Sequence, residues 1–236
     1  MGLETRAWCE RAPPPVATVM SVVTFNASPL SLLVSDDDAI PSYVSRARGG
    51  DARAFQELYR NHRRDVARLV TRLLGPRADV EDVLQEVFIQ VFRSLVSFRG
   101  ESRFTTWLHR VTVNVTLMHI RAAKSRPQLG PESPAEPAAN DDSSPIEGAA
   151  RNERMRALYR ILDTLSDKKR AVFILHDLEG TPAAQIGQVL DIPVLTVRTR
   201  LFYARKEVYA AMAGDPTLEP IARELHLATA SAGDAQ

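Results

Sequence analysis

Between Asp51 and Lys124, large apolar residues return every three or four positions through three successive blocks, and nowhere do they follow the two-residue period of a strand. Such a pattern can bury its apolar side chains only along helix faces, so this stretch is expected to form a small helical body. The first block (Phe55, Leu58, Tyr59, His62, Val66, Leu69, Val70, Leu73 and Leu74) opens after Asp51 and stops at Gly75-Pro76. In the second, Val80, Val83, Leu84, Val87, Phe88, Val91, Phe92 and Leu95 form the core stripe. Asp79 stands at its N-cap position, and acidic residues follow where the helix dipole favours them. A loop from Phe98 to Arg103 around Gly100 leads to a third helix, about Phe104 to Lys124. Its core face reads as Phe104, Trp107, Leu108, Val111, Val115 and Met118.

The chain changes character at Ser125. From there to about Gly148 it holds five prolines and almost no large apolar side chains, too little to offset the entropy of ordering itself. Residues 125–150 are therefore expected to be a flexible acidic linker. Helicity returns with Met155, Leu158, Ile161, Leu162 and Leu165, then Val172 to Leu175 and Leu178. The whole reads as all-α, with two small helical domains (46–124 and 151–213) joined by that linker. Residues 1–45 are expected to be a disordered extension, and 214–236 a tail with one short helix at Leu218–Leu227. Residues 12–35 carry no charge, but Pro13-Pro14-Pro15, Asn26 and Pro29 break the stretch, which argues against a spanning helix or a signal peptide.

A formal net charge of +1 conceals an uneven distribution. Residues 46–126 hold 16 Lys/Arg against 8 Asp/Glu, residues 127–150 hold five carboxylates and no base, and residues 151–213 hold 11 against 7. Two basic bodies on either side of an acidic strap point to polyanion binding. The single Cys9 excludes a disulfide framework, and five scattered histidines have no zinc-ligand spacing. With no phosphate-binding Gly-rich loop either, no cofactor, metal, small-molecule substrate or catalytic activity is expected.

Residues 182–207 read as a helix-turn-helix. Small Gly187 allows close approach of the two helices, and Ile186, Leu190, Ile192, Val197 and Leu201 supply a shared core. The second helix is expected to expose Thr196, Arg198, Thr199, Arg200, Phe202, Tyr203, Arg205 and Lys206, residue types suited to base edges and phosphates. Asp191 occupies the turn, where it tolerates a left-handed backbone better than most residues. In the first body, Asp82, Gln85, Glu86, Ile89, Gln90 and Arg93 form a second face of the helix 79–95, an apolar residue among amides and carboxylates that suits a protein partner. The third helix exposes Arg103, Arg110, Asn114, His119 and Arg121 beside Phe98 and Arg99, a mix of basic and aromatic groups that recurs where single-stranded nucleic acid is held.

The segments DVEDVLQEVFIQVFRSLVSFRGESRFTTWLHRVTVN and LSDKKRAVFILHDLEGTPAAQIGQVLDIPVLTVRTRLFYARKEV together resemble bacterial RNA polymerase sigma factors of the extracytoplasmic-function group. The resemblance covers 51–124 (region 2) and 153–212 (region 4). It implies a transcription initiation factor that binds core RNA polymerase, directs it to promoter DNA and promotes melting. By motif, Asp82, Gln85, Glu86 and Ile89 would meet the clamp helices of the polymerase's largest subunit. Phe98, Arg103, Arg110 and Asn114 would serve the unpaired minus-ten strand, with one base flipped out. Met118 departs from members that carry a polar residue there. Thr196, Arg198, Thr199, Arg200, Phe202 and Tyr203 would read the minus-thirty-five element, and the linker would thread a polymerase channel. The resemblance further implies an anti-sigma partner, a cytoplasmic location and no membrane insertion by the chain itself. A stand-alone helix-turn-helix regulator on duplex DNA is the alternative; it accounts for 153–212 and leaves 79–121 unused.

Overall fold

The structure, a computed structural model, describes residues 41–76, 79–125 and 145–224. These form two compact units, one holding 41–76 and 79–125, the other 145–187 and 192–224. Among the described residues the regular elements are helical throughout. The expected extension up to residue 40, the linker from 126 to 144 and the tail beyond 224 lie outside them.

The first unit opens with α1 (Ser42–Arg48), followed by α2 (Ala52–Leu74), α3 (Val80–Ser94) and α4 (Phe104–Ser125). The first four residues of helix α1, 42–45, fall within the stretch that the sequence suggested was disordered. Seven residues with one large aliphatic are too few to display a period, yet Val44 is fully buried and Arg48 donates to the carbonyl of Phe98 at 3.1 Å. Helix α2 begins where Asp51 Oδ1 accepts from the backbone N–H of Arg53 (2.9 Å) and Ala54 (3.2 Å). It ends at Gly75, whose φ of 83° closes the helix in a conformation that a side chain would resist.

Helix α3 buries Val83, Leu84, Val87, Phe88 and Val91, but two expectations for it fail. Asp79 makes no side-chain cap; its carboxylate is bonded instead to His119 of α4. Phe92 is 59% exposed rather than core, because the stripe is complete without it. Helix α4 is rotated from the expected phase: Met118 faces solvent, and Thr112, Thr116 and Ile120 are buried. The two threonines donate back to the carbonyls of Leu108 (2.9 Å) and Thr112 (2.8 Å), so their hydroxyls are satisfied within the helix and the methyls can join the core.

The second unit contains α5 (Pro145–Thr164), α6 (Asp167–Phe173), α7 (Ala183–Leu190) and α8 (Val194–Ala213). Helix α5 starts about a turn and a half before the expected end of the linker, with Pro145 in the first helical position, where its missing N–H costs nothing. Within the expected tail, the described residues to 224 show the short helix read from sequence. Leu218, Ile221 and Ala222 are buried, and 219–224 are helical. Between α6 and α7, Ile174–Leu178 winds as a π-helix, with the N–H of Glu179 bonded to the carbonyl of Ile174 at 3.0 Å.

Buried His109 supplies a test of the first unit. Burial, then the neighbouring His62 and Arg68, lower its pKa from 6.5 to about 4. The folded form therefore keeps the ring neutral while the unfolded chain protonates near 6.5. The resulting stability is complete above pH 6.5 and is lost as pH falls from there towards 4, by roughly 3 kcal/mol at the acid end. Urea titrations at pH 7 and pH 5, followed through Trp107 in a Trp8→Phe background, are expected to register this loss. His109→Leu should flatten most of the difference.

Candidate functional site

Three exposed surfaces carry the residues singled out by sequence. On α3, Asp82, Gln85, Glu86 and Ile89 all face solvent, four residues on two adjacent ridges of one helix face. Ile89 is 50% exposed, and Phe92 continues its row one turn on, with Val96 beyond it in the 3₁₀ turn Leu95–Ser97. Phe92 meets the ring of Phe55 edge-on, with centroids 5.1 Å apart. Sequence spacing missed Phe92 and Val96 as surface groups; the signal was present in that Phe92 lies three residues after Ile89, on the same face.

The second surface runs along α4. Trp107, Arg110, Asn114, Met118 and Arg121 recur at three- and four-residue steps; Trp107 and Arg110 are half-buried and the other three exposed. Arg103, at the entrance to the helix, is half-buried. Phe98 is not part of this surface. It is 4% exposed, its ring packed against Phe104 (centroids 5.7 Å apart) and Trp107 (5.2 Å). A ring this buried offers no open face to a base, so in this structure Phe98 serves the core rather than the expected strand contact. Trp107, read as core, packs against Phe104 with its indole half-buried.

The third surface belongs to α8. The turn into it is closed by Asp191 with φ 56°, the left-handed conformation anticipated from sequence, and by the N–H of Ile192 bonded to the carbonyl of Gly187 at 3.0 Å. A Cβ on Gly187 would stand 2.9 Å from the Ile192 carbonyl oxygen, so close approach here requires glycine. Val197, Leu201, Ala204, Val208 and Met212 point into the core. Arg198, Thr199 and Tyr203 are exposed, whereas Thr196, Arg200 and Phe202 are half-buried. Leu195, not anticipated, is 72% exposed at the head of the same face.

Arg205 is the exception to the expected basic face. It lies on the buried side of α8, four residues after Leu201 and three before Val208, and is 1% exposed. Its guanidinium clasps the fully buried Asp177 of the π segment, Nε to Oδ2 at 2.9 Å and a second nitrogen to Oδ1. Burial alone would depress the arginine's pKa; the hydrogen bonds and charge of Asp177 outweigh it and hold the group above its ordinary value. Tyr209 beside the pair is raised by burial and by the Asp177 charge, so it stays a neutral phenol. His176 also lies against Asp177, at 2.8 Å. The pair ties α8 to the π segment by a directional, bidentate contact.

The two units correspond to two known families. Residues 58–126 match Sigma-70 region 2, and residues 155–208 match Sigma-70, region 4. The ECF RNA polymerase sigma-E factor of Escherichia coli (strain K12) is 34% identical over 187 residues, covering 76% of this chain and 94% of that protein. That of Haemophilus influenzae is 36% identical over 173 residues, covering 70% and 90%. Among solved structures, CnrH in complex with the cytosolic domain of CnrY has the same fold, with a TM-score of 0.50 and 24% identity over 73% of this chain and 96% of that one. Fold and sequence define a Sigma-70-type transcription initiation factor. Within that class the chain belongs to the ECF RNA polymerase sigma factors, proteins that are generally not enzymes. Both regions match in order, which sets aside the stand-alone regulator. No helix among the described residues is long and apolar enough to cross a membrane.

The buried pair gives the second unit its own test. Removing one member strands the other charge, at a cost on the order of 3–5 kcal/mol, whereas replacing both with apolar groups of similar volume removes most of that cost. Arg205→Met is thus expected to lower the melting temperature of the second unit sharply. Adding Asp177→Leu to it should restore most of the loss, as read by calorimetry.

Proposed function

We propose that the first unit, region 2 within 46–124, docks on core RNA polymerase through Asp82, Gln85, Glu86 and Ile89, with Phe92 and Val96 widening the apolar contact. The observation that carries this is the exposed Ile89–Phe92–Val96 row flanked by carboxylates and an amide. Exposed aliphatic and aromatic groups rimmed by polar ones are the composition of a protein interface. The clamp helices of the polymerase's largest subunit are the surface they would meet.

Arg103, Arg110 and Asn114 on α4 would then hold the unpaired minus-ten strand. With Phe98 in the core, the arginines hold phosphates and the Asn114 amide offers both a donor and an acceptor to one extruded base. Opening a base step costs a few kcal/mol, which a few such contacts offset once polymerase holds the protein in place. In the second unit, region 4 within 151–213, Thr196, Arg198, Thr199, Arg200, Phe202 and Tyr203 would read the minus-thirty-five element in the major groove, with the later positions meeting backbone phosphates. No catalytic step is required of the chain: binding free energy alone drives melting. Residues 126–144, acidic in composition, would form the connector between the regions.

The partners are therefore core RNA polymerase and promoter DNA, in the cytoplasm. Capture of CnrH by the cytosolic domain of another protein supports an anti-sigma factor as a third partner, which would hold this protein at a membrane only if itself anchored there.

In-vitro transcription with core polymerase and promoters chosen by the native holoenzyme tests this reading. Ile89→Asp is expected to weaken holoenzyme assembly at least tenfold. Asn114→Ala should leave duplex binding intact but cut permanganate-reactive opening several-fold, and Arg198→Ala should cut duplex binding instead. Normal opening by the Asn114 variant removes that residue from the minus-ten surface; no sigma-dependent transcript at all overturns the whole reading.

A further inference from the structure

We propose that Leu195 is a base-reading residue that recognises the C5-methyl group of a thymine in the upstream promoter element; this rests on the reading of α8 as the minus-thirty-five helix. Leu195 occupies the first turn of α8 and is 72% exposed. It takes no part in joining the two helices of the motif. Its neighbours lie nearer that contact: Val194, 37% exposed, has a γ-carbon 3.5 Å from where a Gly187 Cβ would stand, and Val197 is fully buried. On a helix of 3.6 residues per turn, Leu195 shares its face with Arg198 and Thr199, three and four residues on. The Thr199 hydroxyl donates back to the Leu195 carbonyl at 2.9 Å, so it is turned along the helix towards Leu195.

The chemistry narrows what such a side chain can read. An isobutyl group neither bonds a phosphate nor a base edge, and the apolar feature displayed in the major groove is the thymine methyl. The first residues of a recognition helix are those that reach base edges. Leu195 therefore heads the reading stripe at a position where an aliphatic group discriminates thymine from the other bases by burying one methyl. At about 0.8 kcal/mol per buried carbon, that contact is worth roughly a fourfold change in affinity.

The test uses full-length chain assembled with core polymerase, and an upstream element selected from random sequence by that native holoenzyme. Each thymine of the element is replaced in turn by deoxyuridine, which deletes only the methyl, and promoter affinity is measured. The native holoenzyme is expected to lose about fourfold at one thymine. Leu195→Ala, with an unchanged melting temperature, should bind the thymine and deoxyuridine promoters alike, while Arg198→Ala should bind both more weakly yet still distinguish them. Methyl sensitivity that persists in Leu195→Ala, or that is absent at every thymine of a promoter the native holoenzyme binds specifically, overturns the proposal and leaves the assignment of α8 standing. If Leu195→Ala impairs holoenzyme assembly without altering methyl sensitivity, the residue is a polymerase contact and the proposal falls. A holoenzyme that forms no promoter-specific complex overturns the assignment of α8 and the proposal together.

Discussion

Helices α3, α4 and α8 each do two jobs, because the α-helical period gives one backbone two faces that cannot move independently. Val83, Val87 and Val91 fix the rotation of α3, and with it the outward direction of Asp82, Glu86 and Ile89. Leu108, Thr112 and Ile120 do the same for Asn114, and Val197, Leu201 and Val208 for Arg198 and Thr199. Burying the core side is worth about 1.5–3 kcal/mol for each large aliphatic side chain, far more than any one surface contact returns. The core therefore sets the aim of the surface groups, and a substitution on the inner face acts on recognition without touching a partner.

Polar groups inside the two units are handled in different ways. In the first, His109 is kept neutral among His62 and Arg68, and the buried threonines turn their hydroxyls onto their own helix. In the second, a full positive charge and a full negative charge are buried together as Arg205 and Asp177. A hydrophobic pair there would be as stable, but it would be tolerant of sliding. Two parallel N–H···O bonds accept one register only, so the pair fixes which residues α8 presents on its outer face.

Much of this was legible in the amino-acid order. Periodicity located α2, α3 and α4, and the turn at Asp191 located α8 and its left-handed residue. What stayed hidden had physical causes. Helix α1 is too short for a period and is held by contacts with residues far along the chain, such as Arg48 with Phe98. Phe98 looked like a loop aromatic available to a base, yet a loop residue becomes core when two rings of the next helix fold over it. Asp79 looked like a cap because its partner, His119, is forty residues away. Arg205 looked like a DNA contact from its charge, whereas its position between Leu201 and Val208 already put it inside. Where charge and helical phase disagreed, phase prevailed.

The π segment at Ile174–Leu178 amounts to one additional residue wedged into an otherwise ordinary helix. Each residue of a helix advances the chain by 100°, so the side chains on either side of the segment are offset from the phase an unbroken α-helix would give them, and within it Asp177 is fully buried against Arg205. Deleting one residue there would leave the composition almost untouched and the local winding more regular. It would also change the phase at which the carboxylate meets the arginine of α8. The irregular turn thus also carries the buried carboxylate that holds α8 by two bonds.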